Sequence, residues 1–296
     1  MRRSSDTGYF HICTDGRVIA WMFQDEIDFI AGINRIGICA FKIGIKVVAY
    51  VLMDNHVHFV LHGSHERCQA FINLYKRLTG TWILTRYGIS DYLKQLPTNI
   101  IRIETEESLL NTIAYLDRNP LMAGYPYMHG EYPWGSSKYL FKDKIHDSVS
   151  SQENWKPISS IPIRERRSKL HTRVVLPGQW MINDSGMIHP LSFLDISSTE
   201  SYYKTPIRYS YFLAKKLEGI VEQELEGSQK KFIPDRELRT IVLQMIQEDY
   251  GTCDINSLGV TERLSLAKKL KHKYASTSNQ ISRMLHLELS TLRKFI

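Results

Sequence analysis

Tyr50-Val51-Leu52-Met53-Asp54-Asn55-His56-Val57-His58-Phe59-Val60-Leu61 reads as two apolar strands meeting at a short polar corner. Ile45 to Met53 is β-branched and aromatic, and Asp54-Asn55 is a turn-forming pair that breaks it before the apolar run resumes at His56. Successive side chains of a strand point to opposite faces, so His56 and His58 share one face while Val57 and Phe59 enter the other. Two imidazoles on one face of a rigid element are either a metal-ligand pair or hydrogen-bonded histidines at a strand end. A third ligand, and a task for a metal, would decide between them.

Working outward, the first half of the chain alternates strand-like and helix-like segments, which predicts an α+β domain built on one main sheet. Tyr9 to Thr14 reads as a first strand closed by Asp15-Gly16, and Trp21 to about Phe41 as a covering helix with Ile27, Ile30, Ile33 and Ile36 at helical spacing. Glu66 to about Tyr87 is again helical, with Tyr75, Lys76, Arg77, Trp82 and Arg86 supplying a basic and aromatic surface. Ile100 to Ile103 reads as a strand, and a helix from about Glu106 to Asn119 follows. Pro120 is expected to end that helix, because the residue before a proline is pushed away from the α region.

The chain of 296 residues suits one large or two smaller domains, and its net charge of +7 favours a polyanionic partner. Cys13, Cys39, Cys68 and Cys253 form no closely spaced pair, which argues against a disulfide framework or a cysteine zinc site. Neither a secretory signal nor an apolar run of bilayer length is visible, so a cytoplasmic protein without membrane contact is expected. The polar stretch near Lys142 to Pro162 suggests a boundary: 1–145 as one domain, 146–204 as a linker or intermediate segment without a readable function, and 205–296 as an all-helical domain. Within the last, Ile207 to Glu226, Asp235 to Tyr250, Leu258 to Tyr274, Ser276 to Leu285 and Ser290 to Ile296 read as helices, the final pair at helix-turn-helix spacing.

Chemistry enters with Ala114-Tyr115-Leu116-Asp117-Arg118-Asn119-Pro120. Four apart on a helix, Tyr115 and Asn119 lie on one face and could present a phenol and an amide oxygen to the histidine strand. Taken alone, Tyr115 reads equally as a core or rim tyrosine and Asn119 as a helix C-cap. His62 shares the face of the pair but lies roughly 13 Å along the strand from His58, so it reads as a surface histidine or DNA contact. His11, on the first strand, could line the same site but reads better as a satisfied structural histidine.

Four ordered motifs, Tyr9-Phe10-His11, Tyr50 to His58, Tyr115 to Gly124 and Tyr132-Pro133-Trp134-Gly135-Ser136-Ser137, resemble the single-tyrosine HUH transposases, and most closely their REP-associated branch. The resemblance covers roughly residues 8–140. It implies a ferredoxin-like antiparallel sheet with helices, metal ligands at His56, His58 and Asn119, a nucleophile at Tyr115, and Mg²⁺ or Mn²⁺ as the divalent metal. The implied reaction is cleavage and rejoining of single-stranded DNA at hairpin-bearing sequences through a covalent 5'-phosphotyrosine, by a monomer or homodimer. Imidazole ligands by themselves lean toward a transition metal. Asp54 stands where the family usually has proline, where it could perturb the metal locally but reads better as solvent-facing, and Gly88 to Asn99 lacks the Gln-Gly-Arg-Phe-like segment common in relatives. A non-catalytic DNA-binding protein retaining the fold is the competing reading; a metallohydrolase would need further His or Asp at zinc-hydrolase spacing, which the sequence does not show.

Lys268, Lys269, Lys271 and Lys273 crowd one carboxy-terminal helix, with Arg283, Arg293 and Lys294 on the two that follow. They read either as a solvated basic face or as phosphate contacts to duplex DNA. The arrangement is similar to the DnaA-like helix-turn-helix appended to some members of the family, which makes Ser290, Thr291 and Arg293 the first candidates to reach base edges, while Lys76, Arg77 and Arg86 are candidate DNA contacts of the first domain.

Overall fold

The computed structural model describes residues 7–16, 18–142, 154–214, 233, 235–274, 276, 278–292 and 295. The first half runs β1 (Gly8–Thr14), α1 (Glu26–Ile43), β2 (Lys46–Leu52), β3 (Val57–Gly63), α2 (His65–Tyr87), β4 (Thr98–Ile103) and α3 (Glu106–Met122). The four strands form one antiparallel sheet in the order β2-β3-β1-β4. The fold is thus mixed α and β around a single four-stranded sheet, as the alternation of segments predicts. Leu52 pairs with Val57, and Met53 N–H donates to the His56 carbonyl at 2.9 Å, so His56 is the last residue of the hairpin corner and the strand proper begins at Val57.

Strand alternation divides the two faces. Phe59 packs its ring against Phe71 and Tyr75 of α2, at 5.3 and 5.1 Å between centroids, and Phe10 meets His65 at 5.9 Å, so α2 covers this face and α1 packs beside it. His58 and His11 point to the opposite face, where α3 carries Tyr115 over them.

α1 begins at Glu26 and not at Trp21. Asp25 is its N-cap, accepting from Asp28 N–H, and the preceding residues are held out of the helix because Met22 and Phe23 give their amides to the Asp54 carbonyl. The helix stops at Gly44, whose φ of 69° suits a residue without Cβ.

α3 corrects the expectation for Pro120: the helix runs through it to Met122. A proline removes only the hydrogen bond to the carbonyl four residues back, and here it falls in the last turn, where Ala123 N–H closes the helix on the Asn119 and Pro120 carbonyls. Two later helices, which follow α4 (Ile163–Leu170), pin α3 from behind: α5 (Ile196–Tyr203) and α6 (Pro206–Ala214). Tyr209 OH donates to Asp117 Oδ2 at 2.6 Å, and Arg118 donates to the Phe212 carbonyl at 2.7 Å. On the carboxy-terminal side of the boundary expected at 205, Tyr209, Phe212 and Leu213 still belong to the main core.

Residues 154–204 are packed and not extended. Ile158, Ile161, Leu170, Trp180, Ile182 and Ile188 form a small core against Ile38 of α1. Buried Asn34 of α1 clamps this unit, donating to the Gly186 carbonyl and accepting from Ile188 N–H. A separate core unites α7 (Asp235–Tyr250), α8 (Val260–Lys273), α9 (Ser278–Leu285) and α10 (Leu289–Leu292). The helix expected over Ile207 to Glu226 is described only as far as Ala214; the remainder, with Arg293 and Lys294, lies outside the described residues. No helix among the described residues is long and apolar enough to cross a membrane.

Candidate active site

The site is built on the paired strands β1 and β3. Cys13 is directly opposite His58 in the register, and His11, two residues along β1, shares its face. His11 Nε2 lies 3.1 Å from His58 Nδ1, and the ligand atoms of His11, Cys13 and His58 all fall within 4.8 Å of one another, a group that could hold a metal ion. His11 is therefore a direct partner of the histidine strand. Its place was legible in the period of two along Tyr9, His11 and Cys13, which puts all three on one face.

His56 is held differently. Its Nδ1 is 2.7 Å from Asn55 Oδ1, while Asn55 Nδ2 donates to the Gly16 carbonyl at 2.8 Å. The amide oxygen can only accept, so a neutral His56 carries its proton on Nδ1 and keeps a lone pair on Nε2. Neutrality follows from surroundings: burial, then the positive charge of Arg283, lowers His56 to about 3. Burial lowers His11 to about 4. His58 is held well below the ordinary imidazole value by burial first and then by His56, His11 and Arg283. All three rings are uncharged at neutral pH, the state a metal ligand needs. Burial raises the Cys13 thiol, against a hydrogen bond to Asn99 that lowers it.

Tyr115 stands over this group. Its ring meets His58 edge-on at 5.5 Å and His11 at 6.1 Å, and the residue is 43% exposed, open to an incoming ligand. Asn119, one turn later, is buried; its Nδ2 donates to the Tyr115 carbonyl at 3.2 Å, which leaves Oδ1 as its unused acceptor. The edge of the sheet is clasped by the Tyr132 to Ser137 stretch: Leu52 N–H donates to the Trp134 carbonyl, Tyr50 N–H to Ser136 Oγ, and Tyr132 OH to the Leu52 carbonyl. This clasp fixes the strand that leads into the histidine corner.

Asp54 is only partly exposed, and not fully solvent-facing. Tyr125, Asp235, Arg239 and Arg283 all act on it, and burial, then the nearby Asp235 charge, pushes its carboxyl up to about 6. The reason is that the carboxy-terminal helices close over this corner: Gln280 Nε2 donates to the Ala123 carbonyl and to Asp235 Oδ1. His62, expected as a surface histidine or DNA contact, is half-buried, its ring tilted against Tyr9 with centroids 4.5 Å apart.

The candidate DNA contacts divide. Arg77 is exposed, whereas Arg86 is bound to Asp25 and to fully buried Asp28, both at 2.6 Å, and Lys76 donates to the Leu96 carbonyl. Tyr75 is fully buried, while Lys76, Trp82 and Arg86 are half-buried and Trp82 donates to Asp28, so of the expected basic and aromatic surface of α2 only Arg77 stands fully exposed. The cause is Asp28, whose buried carboxylate recruits donors from the far end of α2. In the carboxy-terminal unit Arg283 pairs with buried Asp235 at 2.7 Å and Lys269 with Asp249 at 2.7 Å. Lys268, Lys271, Lys273, Ser290 and Thr291 are exposed, Lys268 over the Phe295 ring and Lys273 over Tyr274.

Compared with family models, with curated proteins and with solved structures, the chain matches none. Its function is read from the chemistry of the site itself.

Proposed function

We propose that this chain is a metal-dependent, single-tyrosine DNA transposase that cleaves and rejoins single-stranded DNA at hairpin-bearing sequences. The observation that carries this reading is the disposition of the two histidines beside an exposed tyrosine: Asn55 takes up His56 Nδ1, and His11 Nε2 faces His58 Nδ1 at 3.1 Å. The amide oxygen leaves His56 Nε2 free as a ligand, and His58 Nε2 is free in the tautomer that donates from Nδ1 to His11, the hydrogen-bonded arrangement in which metal-binding imidazoles are usually held. Asn119 Oδ1 supplies the oxygen donor. The strand order β2-β3-β1-β4 supports a ferredoxin-like fold for this part of the chain.

His56, His58 and Asn119 would hold a divalent ion, Mn²⁺ or Mg²⁺; imidazole donors and the nearby Cys13 thiol favour Mn²⁺ of the two. When bound, such an ion supplies Lewis-acid stabilisation of charge developing on a phosphate. Tyr115 Oη attacks phosphorus and loses its proton; the bond to the 3'-oxygen breaks, and that oxygen leaves as a hydroxyl after taking up a proton. The DNA 5'-phosphate stays esterified to Tyr115, so a second 3'-hydroxyl can reverse the step without an external energy source. In the carboxy-terminal unit, the exposed Lys268, Lys271 and Lys273 with Ser290 and Thr291 are the residues that support a duplex-DNA contact of helix-turn-helix type.

The test is incubation of the full chain with Mn²⁺ and a library of hairpin-bearing single strands, followed by denaturing electrophoresis. A covalent adduct is expected with the natural chain and none with Tyr115→Phe. No adduct across the library, or an adduct that survives Tyr115→Phe, removes the proposed nucleophile.

A further inference from the structure

A second site lies in the segment whose function the sequence leaves unread. A cleft of about 100 Å³ opens between α4 and residues 172–176. On the same measure a single water needs ~10–15 Å³, so the space takes a ring-sized group. Ile158, Leu170 and Leu176 form its apolar floor and are buried, while Ile163 and Val175 stand exposed at its edges. Three arginines, Arg166, Arg167 and Arg173, line the same cleft.

These arginines are uncompensated among the described residues. Glu165, the carboxylate on their own helix, is paired with Lys169 at 3.2 Å, and Asp184 is paired with Lys156 at 3.2 Å. Arg166 Nε is buried with no hydrogen-bond partner. A buried donor without a partner carries an unrecovered desolvation cost, so a ligand that brings an acceptor to it gains more than it would at a satisfied surface. The unit is rigidly seated: His171 packs on Trp82 of α2 at 4.8 Å, and its core includes Ile38 of α1. It thus stands on the α1 and α2 side of the sheet, across from Tyr115.

We propose that this cleft is a second single-stranded DNA site that takes one unpaired nucleotide, with the base in the apolar slot and its flanking phosphates on Arg166, Arg167 and Arg173. An apolar slot lined by arginines fits that amphiphilic anion: an unpaired base is read between flat or apolar side chains, and arginine provides phosphate contact. The choice of nucleic acid as the anion rests on the proposed function. The binding itself needs neither metal nor cleavage.

The experiment is fluorescence anisotropy of the full chain with labelled oligothymidylate over a salt series. Arg167→Gln combined with Arg173→Gln changes two exposed side chains; it is expected to weaken binding about three- to tenfold and to reduce the log–log salt slope by about 1.4, at ~0.7 for each single-strand phosphate that is no longer neutralised. An abasic oligomer is expected to bind the natural chain several-fold more weakly than oligothymidylate. Val175→Asp at the mouth of the slot is expected to remove that difference. Unchanged affinity and slope in the double variant, or equal binding of abasic and thymidylate strands, overturns the proposal. So does an equal loss of affinity for polyglutamate, which would mark a surface for any polyanion. If the double variant binds more weakly while no Tyr115 adduct forms, the proposed function fails and this site stands; if the adduct forms and the double variant binds unchanged, this site alone fails.

Discussion

Asn55→Leu tests the central geometry of the site with a side chain of similar size. Asn55 is 1% exposed and makes two hydrogen bonds, to the Gly16 carbonyl at 2.8 Å and from His56 Nδ1 at 2.7 Å. Gly16 passes so close that a Cβ there would lie 3.0 Å from both Asn55 Oδ1 and His56 Nδ1, so no water can replace the missing amide. Leucine strands a buried imidazole N–H, at a cost of about 1–3 kcal/mol in stability. His56 can escape that cost by moving its proton to Nε2, which is the atom proposed to hold the metal. Removing such an outer partner typically lowers metal affinity about 10–100-fold, or about 1.4–2.7 kcal/mol. Titration calorimetry with Mn²⁺ measures this directly, with the thermal midpoint followed separately. Asn55→Asp keeps an acceptor for His56 but replaces the donor to Gly16 by a buried carboxylate oxygen facing that carbonyl, so it is expected to be less stable yet to bind Mn²⁺ within a few-fold of the natural chain. The reasoning is refuted if folded Asn55→Leu binds Mn²⁺ as tightly as the natural chain, or if Asn55→Asp binds as weakly as Asn55→Leu.

Cys13→Ser separates the two metal groupings: Mn²⁺ affinity is expected to fall less than about threefold if the imidazoles hold the ion, and a fall comparable to that of His56→Ala would make Cys13 a ligand. Asp28→Ala removes the acceptor of Trp82 Nε1, Arg86 and Tyr87 OH. It is expected to cost about 3–5 kcal/mol, as breaking a buried ion pair does, and to lower the first thermal transition by ~6–20 °C at ~2–4 °C per kcal/mol; a shift of a degree or two would show that the cluster is not what joins α1 to α2. Arg283→Gln is expected to reduce thermal stability without changing the salt slope of duplex-DNA binding, whereas Lys271→Gln should lower the slope by ~0.9 and leave stability alone. The opposite pattern would return Arg283 to the DNA face.

The strands, their faces and the His56-Val57-His58 hairpin were legible because a period of two leaves little choice once one apolar face must be buried. Tyr115 and Asn119 were legible through the helical period. What escaped reading depends on contacts between distant segments. Arg86 and Trp82 look like surface chemistry in a helix, yet Asp28, 58 residues from Arg86, draws them inward. Asp54 looks like a turn residue in water until the carboxy-terminal helices close over it with Asp235, Arg239 and Arg283. Pro120 looks like a stop until its place in the last turn is known. Residues 154–204 read as a connection because the polar stretch near Lys142 to Pro162 marks a boundary and the apolar residues beyond it follow no clear strand or helix period; Asn34 and Ile38 on α1 complete a core that joins the segment to the first domain.

The seven residues Ala114 to Pro120 show why the site and its support cannot be separated. Tyr115 faces the histidines and Asn119 bonds back to its own helix, while the two residues between Leu116 and Asn119 face the other way and act as anchors. Asp117 accepts from Tyr209 OH and from Gly130 N–H, and Arg118 reaches the Phe212 carbonyl. Leu109, Leu110, Ile113, Ala114 and Leu116 already seat the helix in the main core, whereas Tyr115 itself meets the histidines only by ring edges. The buried polar bonds add direction to that packing, each bond to a charged group being worth about 1.5–3 kcal/mol. A nucleophile must sit within a fraction of an ångström of its target for positioning to count toward rate. The apolar seat of α3 and the polar pins on its far side, more than any contact of the phenol itself, are what would hold Tyr115 there.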